Sequence, residues 1–370
     1  MVEDYFQQEL ENIQSKNRYR RLKAPTGMDF SSNDYLCLSQ HPEIMESLHR
    51  GIKLFGAGST ASRLIRGHRA IYEKTEENFS GWVSATSSLY VMNGYLANLG
   101  LLDCISHKDS EIFCDRLNHA SILDGIRLSG TKVRYYRHLD MSHLEELLQK
   151  SEAKTKIIVS ETVFSMDGDL ADLQELLRLK QKHEAILILD EAHALGVFGN
   201  RGQGLANDKA FLSPDLLEKV DFRVYTCGKS MGLQGAFISC SRKEHKKFLI
   251  NRMRPFIFST APMPAIAYAV NKSINLIKRS KEQRTKILEN AEFFRQKLKE
   301  KGYNTLNSKS QIIPVILKDE EEALYKAGIC QEEGFDVRAI RPPTVKQSRL
   351  RLSINAGIRI EDIKRLLGIL

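Results

Sequence analysis

The chain has 370 residues, of which 42% are hydrophobic and 27% are charged. These proportions are typical of a soluble globular protein, and the length allows two or three domains. No stretch approaches the roughly 18 consecutive apolar residues that cross a bilayer, and the acidic N-terminus lacks the apolar segment of a signal peptide. The sequence therefore predicts a cytoplasmic protein that makes no contact with a membrane.

The net charge of +9 leaves two interpretations open. One is attraction to phosphorylated or acidic ligands, including nucleic acid. The other is an ordinary solvated surface, which we favour because the basic runs are scattered among acidic residues and no nucleic-acid-binding motif accompanies them. The six cysteines form no C-x-x-C pair and the ten histidines no H-E-x-x-H motif. We therefore expect reduced thiols, no metal site and no nucleic-acid partner.

The N-terminal third contains two predicted helices and two strands that are followed by polar residues. Residues 2–21 have an amphipathic pattern, and residues 56–63 are rich in small side chains, which fits either a tight turn or a backbone close to a ligand. A strand at 89–92 is followed by Gly94, which opens a helix. Free N–H groups at such a helix start favour a phosphate. A second strand at 111–114 is followed by His119, whose ring could stack on a flat cofactor.

Three short apolar runs at 157–159, 186–189 and 222–225 are typical of strands buried on both faces. Between the first two lies an amphipathic helical segment at 172–178. A strand, helix and strand in this order predict parallel pairing, so polar residues that follow the runs should meet at one edge of the sheet.

The polar residues at that edge are chemically distinctive. Asp190 supplies a carboxylate, His193 an imidazole and Lys229 an amine. Lysine amines form Schiff bases with carbonyl compounds, and pyridoxal phosphate pairs such a lysine with an acid at its ring nitrogen. A carboxylate about 4 Å from the ring N–H⁺ contributes roughly 4 kcal/mol at an effective dielectric constant of about 20, which keeps the ring protonated.

The C-terminal part predicts a small α/β domain. The expected elements are one long charged helix at 272–301, strands at 312–317, 336–340 and 349–354, and helices at 320–333 and 360–370. We therefore predict an N-terminal helix and arm (1–40), a large α/β domain (41–271) and a small C-terminal domain (272–370).

Together these segments closely resemble the α-oxoamine synthases, which are pyridoxal-phosphate enzymes of fold type I. The matching motifs, in chain order, are Ser31–Leu36, Asn118–Ser121, Val163–Asp169, Asp190–His193 and Thr226–Lys229. The resemblance implies an α/β fold with a mostly parallel central sheet, helices on both faces and a small C-terminal α/β domain.

The resemblance also implies a role for each matching residue. Lys229 would bind the cofactor and move protons at the substrate α-carbon, Asp190 would pair with the ring nitrogen, and His119 would stack on the ring. Ser165 and His193 would hydrogen-bond its phenolic oxygen. The remaining implied residues are Gly94, Tyr95, Thr226 and a partner subunit's Thr260 for the phosphate, and Arg351, Asn33 and Arg20 for the substrates. Because the family's site is shared between subunits, a homodimer is implied.

Within the family, residues 339–345 are similar to the 8-amino-7-oxononanoate synthases, although residues 345–348 are shorter than usual and Cys37 stands where glycine is common. This resemblance implies condensation of L-alanine with a pimeloyl thioester in biotin biosynthesis, with either coenzyme A or acyl carrier protein as the carrier. The alternatives are glycine with acetyl- or succinyl-CoA, and an inactive protein of the same fold that binds acidic partners. The presence of Lys229, Asp190 and His119 together argues against the inactive protein.

Overall fold

The computed structural model describes residues 2–370, with side chains from residue 4 onward. The chain forms two compact units. The larger comprises Asn33–Phe164 and Leu170–Thr285, and the smaller comprises the residues up to Ser32, Ser165–Asp169 and Lys286–Leu370. The three-part division expected from the sequence is a different partition and stays a prediction.

The helices and strands of the described chain are as follows. The helices are α1 (Val2–Ser15), α2 (Pro42–Phe55), α3 (Ala70–Trp82), α4 (Gly94–Ile105), α5 (Ala120–Ser129), α6 (Met141–Gln149), α7 (Leu173–Lys182), α8 (Pro214–Leu217), α9 (Lys243–Arg252), α10 (Arg254–Ile257), α11 (Pro264–Arg279), α12 (Lys281–Glu300), α13 (Glu320–Glu332) and α14 (Ile360–Ile369). The strands are β1 (Met28–Asp29), β2 (Ser87–Val91), β3 (Ser110–Asp115), β4 (Lys132–Tyr136), β5 (Thr155–Glu161), β6 (Ile186–Asp190), β7 (Phe222–Thr226), β8 (Ala236–Cys240), β9 (Ile312–Ile316), β10 (Phe335–Asp336), β11 (Ala339–Ile340) and β12 (Arg349–Ser353). None of the described helices is both long and apolar enough to cross a membrane.

The larger unit is built on a seven-stranded sheet with the order β2-β8-β7-β6-β5-β3-β4. The pairs formed by β3 with β4, β3 with β5, β5 with β6 and β6 with β7 are parallel. Only β8 runs the other way within this sheet, since it is antiparallel to both of its neighbours, β2 and β7. The parallel arrangement predicted for β5, β6 and β7 is therefore confirmed.

Helices cover both faces of this sheet. Successive strand side chains point to opposite faces, so the apolar strands present side chains that the helices bury on each side. Phe237 of β8 stacks on Phe79 of α3, with ring centroids 3.8 Å apart. The next residue, Ile238, belongs to a buried cluster with Leu101 of α4 and Ile126 of α5. This two-sided burial explains why the central strands are apolar along their whole length.

The strand directions bring the polar ends together. Since β2 and β7 are both antiparallel to β8, β2 runs parallel to β3, β5, β6 and β7. Their carboxyl ends therefore lie at one edge of the sheet, where Gly94, His119, Glu161, Asp190 and Thr226 end or follow the strands. This edge is where open α/β sheets bind ligands.

In the smaller unit, β9, β12 and β11 form an antiparallel sheet in the order β11-β12-β9, and β1 pairs in parallel with β10. Phe30 lies next to β1 and makes edge contacts with Phe294 of α12 and with Phe335 of β10. These strands, with α13 and α14, form the small C-terminal α/β assembly that the sequence predicts.

Two predicted C-terminal elements differ from the structure. The single helix expected at 272–301 is interrupted at Ser280, whose hydroxyl donates to the Leu276 carbonyl at 2.8 Å and competes with the backbone ladder. The single strand expected at 336–340 is two strands in different sheets, because Val337 N–H donates to the Phe335 carbonyl in a tight turn.

The N-terminal helix is also shorter than the predicted 2–21, since α1 ends at Ser15. Asn17 adopts a left-handed φ of 53°, and Arg18 N–H bonds the Ile13 carbonyl at 2.9 Å, which is a Schellman-type helix end. Phe6, Leu10 and Ile13 of α1 are exposed.

Candidate active site

A cavity of about 150 Å³ opens at the carboxyl edge of the large sheet. Its lining includes seven residues that the sequence predicts to bind the cofactor: Gly94, Tyr95, His119, Asp190, His193, Thr226 and Lys229. They come from different strand ends and helix starts that are distant in sequence. The parallel sheet therefore brings most of the predicted cofactor-binding residues of the larger unit to one place.

Asp190 is the last residue of β6 and is only 6% exposed. Its Oδ1 accepts a hydrogen bond from Ala192 N–H at 2.9 Å, and its Oδ2 accepts one from Asn98 Nδ2 at 2.7 Å. Two donors on opposite oxygens fix the plane of the carboxylate while leaving further lone pairs for a cationic partner in the cavity. The group is thus prepared to hold a protonated ring nitrogen.

The amine of Lys229 begins a chain of hydrogen bonds. Its Nζ lies 2.7 Å from His193 Nε2, and His193 Nδ1 lies 2.7 Å from the hydroxyl of Tyr35. Because this hydroxyl donates to Asn33 Oδ1 at 3.0 Å, it accepts from Nδ1–H, and Nε2 is left to accept from the lysine. The chain can therefore take a proton from the lysine amine at one end.

His119 caps the N-terminus of α5 and is held on one ring nitrogen. Its Nδ1 accepts from Ser121 N–H at 3.2 Å and lies 2.8 Å from Ser121 Oγ. Burial lowers the pKa of His119, and the charge of Lys229 acts in the same direction against the opposing effect of Asp190. A neutral imidazole suits a flat contact with a cofactor ring.

The start of α4 provides an anion site. Asn93 caps the helix by accepting from Leu96 N–H at 2.9 Å, and the preceding N–H groups are those of Gly94 and Tyr95. A Cβ at Gly94 would lie 3.3 Å from Thr226 Cβ, so glycine lets the two elements approach closely. Backbone donors, the helix dipole and a threonine hydroxyl together suit a phosphate group.

These features fit pyridoxal phosphate on chemical grounds. The cavity contains a buried, oriented carboxylate, a neutral imidazole, a lysine amine and an anion-binding helix start. Each corresponds to one part of the cofactor: the ring nitrogen, the ring face, the aldehyde carbon and the phosphate.

Four other predicted site residues are described separately. Arg20, Ser165 and Arg351 belong to the smaller unit, where Arg351 Nε donates to the Ser165 carbonyl at 2.6 Å and Nη1 donates to Ser353 Oγ at 2.8 Å. Thr260 is exposed between α10 and α11 and does not line the cavity of its own chain. The roles expected for these four residues stay predictions.

Asn98, Ser121 and Tyr35 had no predicted role, although all three form hydrogen bonds with site residues. The signals were present. Asn98 lies one helical turn after Gly94 on the same face of α4, and Ser121 and Tyr35 belong to motifs already recognised. A buried polar side chain at helical spacing from a ligand-binding glycine is the pattern to search for.

The chain is similar to several known proteins. The aminotransferase class I and II family model matches residues 25–370. A Bacillus cereus protein, provisionally named 8-amino-7-oxononanoate synthase, is 38% identical over 97% of this chain and 94% of its own length.

Two solved structures are also similar. Serine palmitoyltransferase from S. paucimobilis, with bound PLP–myriocin aldimine, is 26% identical, covers 99% of this chain and 96% of its own, and gives a TM-score of 0.90. The 8-amino-7-oxononanoate synthase from Francisella tularensis is 27% identical, with coverages of 93% and 96% and a TM-score of 0.80. The chain therefore belongs to the aminotransferase class I and II family and, within it, to the α-oxoamine synthases, fold type I enzymes that use pyridoxal 5′-phosphate.

Proposed function

We propose that this enzyme condenses L-alanine with a pimeloyl thioester and releases CO2 and the free thiol, giving 8-amino-7-oxononanoate for biotin biosynthesis. The sequence relative of that name supports the choice of branch. A pocket lined by arginine residues in the smaller unit supports the choice of acyl donor.

The choice of acyl donor rests on a basic pocket in the smaller unit. Arg18, Arg20 and Arg341 line it together with Thr344, and Arg20 Nη2 donates to Thr344 Oγ1 at 3.1 Å. Burial lowers the pKa of Arg341, and the nearby charge of Arg20 lowers it further. Arg18 is paired with Glu320 at 3.3 Å, whereas the facing charges of Arg20 and Arg341 favour an anionic ligand.

A pimeloyl group carries a carboxylate at the end remote from the thioester, whereas a palmitoyl, acetyl or simple alkanoyl group ends in a methyl. Guanidinium groups bind carboxylates through charge-assisted hydrogen bonds, which an apolar chain end cannot form. Arg20 and Arg341 already donate to Thr344 and to the Asn17 carbonyl, and their charges remain available to a carboxylate. The pocket therefore favours a dicarboxylic donor.

The chemistry at the amino acid is assigned to the larger unit. Pyridoxal phosphate, when bound, supplies a conjugated ring that withdraws electrons from the α-carbon. Lys229 would hold the cofactor and then remove and return the α-proton at Nζ. His193, 2.7 Å from that Nζ, would accept a hydrogen bond from it and orient it. Asp190 would keep a proton on the ring nitrogen, and His119 would pack on the ring face.

The remaining roles concern binding. Gly94, Tyr95 and Thr226 would hold the phosphate, with a contribution from the partner subunit's Thr260 in a homodimer. Arg351 would orient the carboxylate of alanine through its planar fork of donors, and Asn33 would lie near the substrates. These phosphate-binding and substrate-binding roles rest on the resemblance to the family.

A second candidate is suggested by the structural comparison. The serine palmitoyltransferase structure gives a higher TM-score than the 8-amino-7-oxononanoate synthase structure, 0.90 against 0.80. L-Serine with a palmitoyl thioester is therefore the alternative pair, next to glycine with acetyl- or succinyl-CoA.

The test compares pimeloyl and heptanoyl thioesters, which have the same chain length and differ in the terminal carboxylate. We expect the wild-type enzyme to prefer the pimeloyl donor in kcat/KM by at least about tenfold, since a charged hydrogen bond contributes roughly 1.5–3 kcal/mol. Arg20→Ala and Arg341→Ala should reduce that preference, while Arg21→Ala, outside the pocket, should retain it. Equal use of both donors by the wild type, or faster turnover of serine with a palmitoyl thioester, would contradict the proposal.

A further inference from the structure

Two buried polar residues join the groups that would contact the cofactor ring. Asn98 Nδ2 donates to Asp190 Oδ2 at 2.7 Å and to Ser121 Oγ at 3.0 Å. Ser121 Oγ in turn lies 2.8 Å from His119 Nδ1. Asn98 is 3% exposed and Ser121 is 1% exposed, so water cannot replace these bonds freely. The result is a continuous path from Asp190 to His119.

The direction of each hydrogen bond in this path is set by its chemistry. An ionised carboxylate only accepts, so Asn98 must present its NH2 group to Asp190, and the second hydrogen of that group faces Ser121 Oγ. Ser121 N–H can only donate, so His119 Nδ1 must be an acceptor. The Ser121 hydroxyl, which accepts from Asn98, is then free to donate to the same nitrogen. Every bond agrees with a neutral His119 that carries its proton on Nε2.

We propose that Asn98 and Ser121 are positioning residues, which link the charge of Asp190 to the tautomer of His119 and so prepare both groups for the cofactor ring. The inference rests on the proposed cofactor roles of Asp190 and His119 and does not depend on which amino acid or acyl donor is used. Neither residue is expected to touch the reacting atoms. Their effect is to fix the orientation of the Asp190 carboxylate and to favour the neutral imidazole of His119 that carries its proton on Nε2.

The groups around His119 and Asp190 support these two effects. Burial lowers the pKa of His119, which favours the neutral imidazole. The Ala192 N–H bond to the other oxygen of Asp190 restricts rotation of the carboxylate, so a loss of the Asn98 bond would affect one defined oxygen. A protonated imidazole would have to break the bond from Ser121 N–H, because Nδ1 would then become a donor.

The first test is made on the wild-type holoenzyme with ¹⁵N-labelled histidine, with the His119 signals assigned by their loss in His119→Phe. We expect Nδ1 to be unprotonated and Nε2 to be protonated. A proton on Nδ1, or an imidazolium at neutral pH, would overturn the proposal without any need for a variant in the path.

The second test measures the cofactor affinity and the His119 signals in Asn98→Asp, Ser121→Ala and the double variant. Asn98→Asp keeps the size but replaces the donor with a carboxyl group, and we expect the Kd for pyridoxal phosphate to rise roughly ten- to hundredfold. Ser121→Ala should shift His119 toward a mixture of tautomers. The two effects on Kd should be less than additive, because both substitutions interrupt the same path.

Asp103→Asn in the same helix is the control and should change neither readout. Thermal unfolding identifies a general loss of structure, which would lower Tm without a tautomer change. Additive effects on Kd with an unchanged His119 tautomer would refute the proposed link between Asp190 and His119. Since no acyl donor is present in either test, this result would leave the proposed reaction untouched.

Discussion

Replacement of Asp190 by asparagine removes a charge while keeping the size of the side chain. The carboxylate is 6% exposed and is held by Ala192 N–H and Asn98 Nδ2, so it cannot move to compensate. A charge pair about 4 Å apart contributes roughly 4 kcal/mol at an effective dielectric constant of about 20. Loss of that amount from the transition state of α-proton removal corresponds to about a 10³-fold decrease in rate.

The assay is exchange of the α-proton of L-alanine in D2O, followed by NMR, with bound cofactor measured by its visible absorbance. We expect Asp190→Asn to bind the cofactor and to exchange about 10³-fold more slowly. Asp103→Asn makes the same charge change in α4, outside the cavity lining, and should exchange at the wild-type rate. If cofactor-loaded Asp190→Asn exchanged as fast as the wild type, the proposed role of Asp190 would be refuted.

Four further predictions concern the site and the fold. Lys229→Ala should prevent borohydride from fixing the cofactor to the protein, and a peptide map that places the cofactor on another lysine would disprove the assignment. Mixing Lys229→Ala subunits with Thr260→Ala subunits should restore one intact site per heterodimer, and no recovery after verified subunit exchange would rule out a shared site. Cys37 has a left-handed φ of 54°, so Cys37→Gly should raise the free energy of unfolding by up to about 1 kcal/mol in urea titrations, and a decrease would contradict the strain. Hydrogen bonds from Arg178 and Lys182 lower the pKa of Glu145 to about 2 from 4.5, so its stabilising contribution is present above pH 4.5 and is lost as the pH falls toward 2. Glu145→Gln should therefore show a smaller loss of stability over that pH range, and an unchanged acid profile would exclude this pair as a cause.

The sequence was most informative where a local pattern and the sheet topology lead to the same result. The runs at β5, β6 and β7 are continuous apolar segments that end in polar residues, and parallel pairing necessarily collects those residues at one edge. The positions of Asp190, His193 and Lys229 in the cavity follow from this. The anion site at Gly94 was predictable for a similar reason, since this glycine follows a strand and begins a helix.

The remaining features depend on contacts that are distant in sequence. The reversed direction of β8 cannot be read from its apolar run, because parallel and antiparallel central strands have the same composition. The interruption at Ser280 arises from one hydroxyl that bonds a carbonyl within an otherwise helical pattern. Asn98 resembles any polar helix residue until the fold places it 2.7 Å from Asp190.

The most direct measurement is a competition assay on the holoenzyme, with L-alanine, L-serine and glycine offered against pimeloyl, palmitoyl, acetyl and succinyl thioesters. Products are identified by mass spectrometry. The proposed function predicts the highest kcat/KM for L-alanine with a pimeloyl thioester and release of one CO2 for each 8-amino-7-oxononanoate formed. Preferred formation of a product from serine and the palmitoyl donor, or from glycine and a short acyl donor, would contradict it.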